Sequence, residues 1–184
     1  MQYYKICVSG AASTNHCNTC ALEAAKELGR EIIRQKGILV TGATTGIPYW
    51  SAIGAKEENG FSIGVSPAVS EKEHVKTYHL PTDYFDIIIY TGFNYSGRNL
   101  LLTRASDGVI FCCGRMGTLN EFTIAFEDEK PIGVLEGTGG TADEIRDLIK
   151  KMKKGKGNIV FDKNPKRLVE KIIKLIQKEK EIKI

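Results

Sequence analysis

Gly108-Val109-Ile110-Phe111-Cys112-Cys113-Gly114-Arg115-Met116-Gly117-Thr118-Leu119-Asn120-Glu121 joins an apolar run, a glycine-bearing turn and the opening of an amphipathic segment. Gly108 to Cys112 reads as a strand, and Phe122, Ile124 and Ala125 are among the apolar positions of a helix expected from about Thr118 to Glu127. Glycine at 114 and 117 permits a tight turn and lets a ligand approach bare backbone. The first amides of a helix carry partial positive charge, so the turn from Gly114 through Arg115, Met116, Gly117 and Thr118 is a candidate phosphate site. Thr118 and Glu121 also have the spacing of a capping box, which needs no ligand. Both readings stand at the level of this segment.

Strand candidates recur along the chain at Tyr4 to Ser9, Ile38 to Thr41, Phe61 to Val65, Asp86 to Tyr90, Ile132 to Leu135 and Asn158 to Phe161. Helical patterns lie between most of them: Cys20 to Gln35, Pro48 to Glu58, Arg98 to Ser106 and Ala142 to Lys153. Ser70-x-x-Glu73 and Thr141-x-x-Glu144 have capping-box spacing, and Asn164-Pro165 opens a basic C-terminal helix over about 164–182. Ile- and Val-rich strands alternating with helices indicate an α/β fold, a mostly parallel sheet of about seven strands covered on both faces. The 184 residues fit a single domain, 1–184.

Ligands of such folds gather at the carboxyl ends of the strands. Three loops rich in small residues fall there: Ser9-Gly10-Ala11-Ala12-Ser13, Gly42-Ala43-Thr44-Thr45-Gly46 and Gly114 to Thr118. Arg98 follows the fourth strand and is expected at the same edge as Glu121, where a guanidinium clamps phosphate or holds a carboxylate. No segment matches the dinucleotide fingerprint or the Walker loop, which argues against an oxidoreductase or an ATPase. Tyr49 and Trp50 follow the second glycine loop, where core or interface roles are weighed against stacking on a base.

Charge and cysteines narrow the class further. From Ile145 to Ile184 there are fourteen Lys or Arg against five Asp or Glu. The lysines at 150, 151, 153, 154 and 156 have no interleaved aromatics, so a solvated helix face is expected rather than nucleic-acid binding. An apolar stripe of Leu168, Ile172, Leu175 and Ile176 is expected to face the domain. The start of the chain lacks a signal-peptide pattern and no run of eighteen apolar residues occurs, so a soluble cytoplasmic protein without membrane contact is expected. Five cysteines, including Cys17-x-x-Cys20 beside His16 and the adjacent Cys112 and Cys113, read as ordinary reduced thiols with no metal site.

The chain resembles the LOG-like (Lonely Guy) family, whose members often carry the label lysine decarboxylase. That family falls within a wider Rossmann-like SLOG superfamily that includes molybdenum-cofactor-carrier-like relatives. Its motif reads Pro-Gly-Gly-x-Gly-Thr-x-x-Glu, and Gly114, Gly117, Thr118 and Glu121 match it in position. Arg98 holds the family spacing to Glu121, and Arg104 and Asp107 also fit. The resemblance runs over about residues 5–136, through Ser9-Gly10, Gly42 to Gly46 and Ile63-Gly64-Val65. Cys113 stands in place of the motif's proline, Arg115 of its second glycine, Asn120 of a glutamate usual in hydrolytic members, and Asn99 of a lysine.

The resemblance implies a Rossmann-like three-layer sandwich and a nucleoside monophosphate or other phosphate-bearing small molecule as partner, without a cofactor. Ser9, Gly10, Gly42, Gly46, Gly114, Arg115, Met116, Gly117 and Thr118 would bind the nucleotide or phosphate. Glu121 and Arg98 would be catalytic if the activity is phosphoribohydrolysis, the cleavage of a nucleoside 5′-monophosphate to base and ribose 5-phosphate. The alternative is a binder or carrier without turnover, for molybdenum cofactor or a signalling nucleotide. Relatives that are dimers or larger imply a homo-oligomer. No apparatus for pyridoxal phosphate is found, so lysine decarboxylation is not expected.

Overall fold

The computed structural model describes residues 3–153 and 157–182. Seven strands and seven helices follow one another in order: β1 (Tyr4–Gly10), α1 (Ala21–Arg34), β2 (Gly37–Thr41), α2 (Ile47–Glu57), β3 (Ser62–Ser66), α3 (Glu71–Lys76), β4 (Ile87–Tyr90), α4 (Asn94–Ala105), β5 (Gly108–Cys112), α5 (Met116–Glu127), β6 (Ile132–Leu135), α6 (Gly140–Met152), β7 (Ile159–Asp162) and α7 (Pro165–Ile182). The strands form one sheet in the order β4-β3-β2-β1-β5-β6-β7. Every pair is parallel.

Alternate residues of the central strands feed two cores. Ile6 and Val8 of β1 and Ile110 of β5 pack against α1, α2 and α7 through Leu28, Ile32, Ala52, Leu168 and Ile172. Cys7, Val109 and Phe111 face the other way, against Leu102 of α4, Phe122 of α5 and Ile145 of α6. This period of two within wholly buried strands accounts for their near-continuous apolar sequences. On α7, Leu168, Ile172 and Ile176 are buried as the stripe requires, Val169 and Ile173 are buried beside them, and Leu175 is half-buried.

Local signals set the helix ends in some places and tertiary contacts set them in others. Ser70 Oγ accepts the Glu73 amide, and the Glu73 carboxylate accepts the Val69 amide, so the expected cap opens α3. Asn164 Oδ1 accepts the Arg167 amide at the start of α7 (3.1 Å). The expected cap at Thr141 does not form, because α6 begins earlier, after Gly139. Thr141 instead donates its hydroxyl to the Arg115 carbonyl, and Asp143 accepts the Gly137 and Gly139 amides. Lys150, Lys151 and Lys153 are exposed, while Lys154 and Lys156 lie outside the described residues.

The connection after β1 leads to one face of the sheet and that after β5 to the other, which opens a crevice between their carboxyl ends. The register places Gly10 beside Cys112 there.

Candidate functional site

A cleft of about 380 Å³ occupies this crevice, within the size range of small-molecule sites. Ser9, Gly10, Gly42, Arg98, Arg115, Gly117, Thr118 and Glu121 line it, joined by Tyr95, Asn99 and residues of the first two small-residue loops. Gly46, Gly114 and Met116 are not in the lining. Gly46 lies against the carbonyls of Ala11 and Ala12, Gly114 supports the turn at φ +109°, and Met116 is 76% exposed.

The turn from Cys113 to Arg115 directs its carbonyls and its amides to different places. The Cys113 carbonyl accepts the Ala142 amide, and the Gly114 carbonyl accepts the Thr141 amide. The Arg115 carbonyl takes the Leu119 amide and the Thr141 hydroxyl. Arg115 is the N-cap residue of α5, and no side chain caps that helix. The capping-box reading of Thr118 and Glu121 therefore fails, because α5 starts two residues ahead of Thr118. Among the described residues no acceptor meets the amides of Met116, Gly117 and Thr118. A Cβ at Gly117 would meet nothing within 4 Å, so this position keeps open space above the first turn.

Glu121 lies on the first turns of α5 with 5% of its surface exposed, and Arg98 on α4 is equally buried. Arg98 Nη1 donates to Glu121 Oε1 at 3.1 Å, and the Ser9 hydroxyl donates to Oε2. The side-chain amide of Asn99 lies 2.9 Å from Oε1 and 2.9 Å from the Tyr95 carbonyl; with its nitrogen facing these acceptors it is a third donor to the carboxylate. Burial nonetheless pushes the Glu121 carboxyl above its ordinary range, against the opposing pull of Arg98 and Ser9. The Arg98 guanidinium packs against Gly42, where any Cβ would fall onto it. Its Nε is buried with no partner among the described residues.

Three hydrogen bonds and a disulfide join the loop after β1 to the turn after β5. Arg115 Nε donates to His16 Nδ1 at 3.0 Å, and its Nη2 donates to Asn15 Oδ1 at 2.5 Å. His16 Nε2 lies 3.0 Å from the Gly114 carbonyl, which fixes the neutral ring as the Nε2–H tautomer. Cys17 and Cys113 are joined by a disulfide across a sequence separation of 96. The expectation of reduced thiols is thereby corrected for these two, while Cys7, Cys20 and Cys112 are free. The cause is topological: β1 and β5 are neighbours, so residues distant in sequence share one rim. Cys113 adopts φ +54°, which the ring of the motif's proline forbids.

The aromatic neighbour of the cleft is Tyr95, one helical turn before Arg98, whose guanidinium lies 5.8 Å from its ring centroid. Its i, i+3 relation to Arg98 could have identified it once α4 was known to begin at Asn94. The sequence pattern expects that start near Arg98, four residues later than it lies. Tyr49 donates to Asp83 and meets Tyr84 edge to face, and Trp50 packs on the core, so neither lines the cleft. Asn15 carries no sequence signal and His16 only its place beside Cys17-x-x-Cys20, because their contacts are made across the crevice.

The family model described as the SLOG cluster4 family matches residues 3–169. An uncharacterized protein of Archaeoglobus fulgidus is 29% identical over 133 residues, covering 72% of this chain and 82% of that protein. The structure of the molybdenum cofactor binding protein from the phototrophic bacterium Rippkaea orientalis superposes with a TM-score of 0.75 at 26% identity, covering 97% of this chain and 98% of that one. The Moco carrier protein of Chlamydomonas reinhardtii superposes with a TM-score of 0.78 at 24% identity, covering 96% and 99%. No helix among the described residues is long and apolar enough to cross a membrane.

Proposed function

Because the chain belongs to the SLOG cluster4 family, we propose that its cleft binds a phosphate-bearing small molecule and holds it without cleaving it. The observation that carries this reading is the uncapped start of α5, with the Met116, Gly117 and Thr118 amides open beside a bare glycine. A phosphate oxygen accepts such amides and is favoured by the helix dipole. Arg115 at the rim adds a cation within the same lining. Tyr95 offers a ring for the flat part of a nucleotide or pterin. The likeness to the Rippkaea molybdenum cofactor binding protein supports a phosphate-bearing pterin as one candidate.

Glu121 is the reason for preferring binding over turnover. A general base must present a lone pair to its water, and three of the roughly four acceptor sites of this carboxylate face Arg98, Ser9 and the turned Asn99 amide. Its role in this reading is to hold Arg98 and Ser9 in the cleft wall. Mass spectrometry of small molecules released on denaturing the purified protein tests the proposal. A bound nucleotide or pterin phosphate supports it, and titrations in which neither AMP nor a phosphorylated pterin binds would refute it.

A second reading, phosphoribohydrolysis, draws on the Arg98–Glu121 pair and the raised carboxyl pKa, a perturbation frequent at catalytic sites. Glu121 would then face the ribose, stabilising positive charge at the anomeric carbon or activating water. Free base released from AMP by the wild type and lost in Glu121→Ala would establish it. The expected homo-oligomer remains a proposal, supported by the exposed Ile87 and Ile89 of edge strand β4 and checked by sedimentation.

A further inference from the structure

We propose that His16, Cys17 and Cys113 form, in the reduced protein, a second site that binds a zinc-class cation at the rim of the cleft. Their ligand atoms all lie within 4.8 Å of one another. His16 Nε2 is 3.6 Å from Cys113 Sγ. Zn–S and Zn–N bonds of about 2.3 and 2.0–2.1 Å in a tetrahedron set such a nitrogen and sulfur about 3.6 Å apart. The nitrogen therefore already lies at the separation a shared ion requires, and ligation would take it from the Gly114 carbonyl. Two sulfur atoms on one ion lie about 3.8 Å apart by the same geometry, so the disulfide and the ion are alternative occupants of this pair.

The exchange balances as two steps. A dithiol reductant transfers two electrons and two protons to the Cys17–Cys113 bond, becoming a disulfide itself and leaving two thiols. The divalent ion then displaces both thiol protons and is held by two thiolates and a neutral imidazole. Cys17-x-x-Cys20 suggests a different pair, but the Cys20 sulfur faces the Gly137 carbonyl at 3.7 Å. The partner of Cys17 is across the crevice. Three protein ligands leave a fourth position for solvent or an anion.

Loading this site would act on the neighbouring arginine. His16 Nε2 carries its proton toward the Gly114 carbonyl while Nδ1 accepts from Arg115. Ligation through Nε2 moves the proton to Nδ1, where it opposes the Arg115 Nε–H and ends that hydrogen bond. Arg115 then keeps only its contact with Asn15. The test below reads the metal alone, whatever the cleft holds.

The full chain, reduced with a phosphine and desalted without oxygen, is equilibrated with Zn²⁺, and retained metal is measured; Cd²⁺ titration reads thiolate-to-metal charge-transfer absorption. Reduced wild type and Cys20→Ser are expected to hold one ion per chain. Oxidised wild type, Cys17→Ser and Cys113→Ser are expected to hold none, with charge transfer lost. His16 is exposed, so His16→Gln is expected to keep the fold and to bind at least tenfold more weakly. Substoichiometric uptake by the reduced protein, equal uptake by the oxidised protein, retention in either cysteine variant or unchanged affinity in His16→Gln would overturn the proposal.

Discussion

Asn99 and Asn120 meet at 3.0 Å across the contact between α4 and α5, one residue along from Arg98 and Glu121 respectively. These are the positions of a lysine and a glutamate in the LOG-like pattern, so two separate departures in sequence form one contact in space. A neutral amide pair stands here beside the buried carboxylate.

This contact predicts energetic coupling. Asn99→Lys alone sets a cation against Arg98, and Asn120→Glu alone adds an acid near Glu121. The double variant is expected to be more stable than the sum of the singles by about 0.5–3 kcal/mol, the usual range for residues in contact. Urea unfolding of the four proteins measures it; strict additivity would contradict it.

Gly42 and Gly117 are predicted to respond in opposite ways to alanine. Gly42→Ala pushes a Cβ into the Arg98 guanidinium and is expected to cost about 1–3 kcal/mol, typical of overpacking. Gly117→Ala lies in a helix with open space above it and is expected to match or exceed wild-type stability by up to about 1 kcal/mol. In the proposed function the added methyl occupies the phosphate's approach, so AMP or pterin-phosphate affinity should fall about tenfold, or about 1.4 kcal/mol. Paired unfolding and calorimetric titrations check both halves.

The raised pKa of Glu121 fixes a pH trend. A group whose folded pKa lies above its unfolded value contributes stability that is fully present below the unfolded pKa and is lost as pH rises through the folded one. Wild type is therefore expected to lose stability relative to Glu121→Gln on going upward from the ordinary carboxyl range. Asp162 has the opposite sign, held well below the usual range by Lys171, the Asn164 amide and Arg167. Its contribution is present above the ordinary aspartate pKa and disappears as pH falls through the depressed value. Asp162→Asn should flatten the acid limb alone, as read from unfolding midpoints across pH.

Reduction should weaken the fold measurably. Closing a loop between positions 96 apart limits the unfolded ensemble, and loss of such a bridge is worth about 2–4 kcal/mol. Urea midpoints for oxidised wild type, reduced wild type and Cys17→Ser are expected to place the last two together and below the first. Coincident midpoints for all three would refute this.

What could be read from the sequence follows the range of the interactions involved. Gly108 to Cys112 and Ile132 to Leu135 appear at the expected bounds because a buried strand writes itself into consecutive residues. Ser70 and Asn164 cap as expected because a cap needs only three or four neighbours. Thr141 fails as a cap because α6 begins after Gly139, ahead of it, on glycines whose backbone freedom no capping pattern records. Arg98 and Glu121 were paired through family spacing, while the convergence of Ser9 on the same carboxylate depends on strand order and has no local trace. The disulfide depends on the same adjacency of β1 and β5.

The bridge also gives the chain a covalent topology. Residues 17 to 113 form a closed ring that contains Gly42, Tyr95, Arg98 and Asn99, whereas Ser9, Arg115, Gly117, Thr118 and Glu121 sit on the two arms leaving it. Both arms emerge from one junction. If the outer strands and helices open locally, the loop after β1 and the first turn of α5 stay tethered side by side. The rim of the cleft is thus held together by a covalent bond as well as by the sheet.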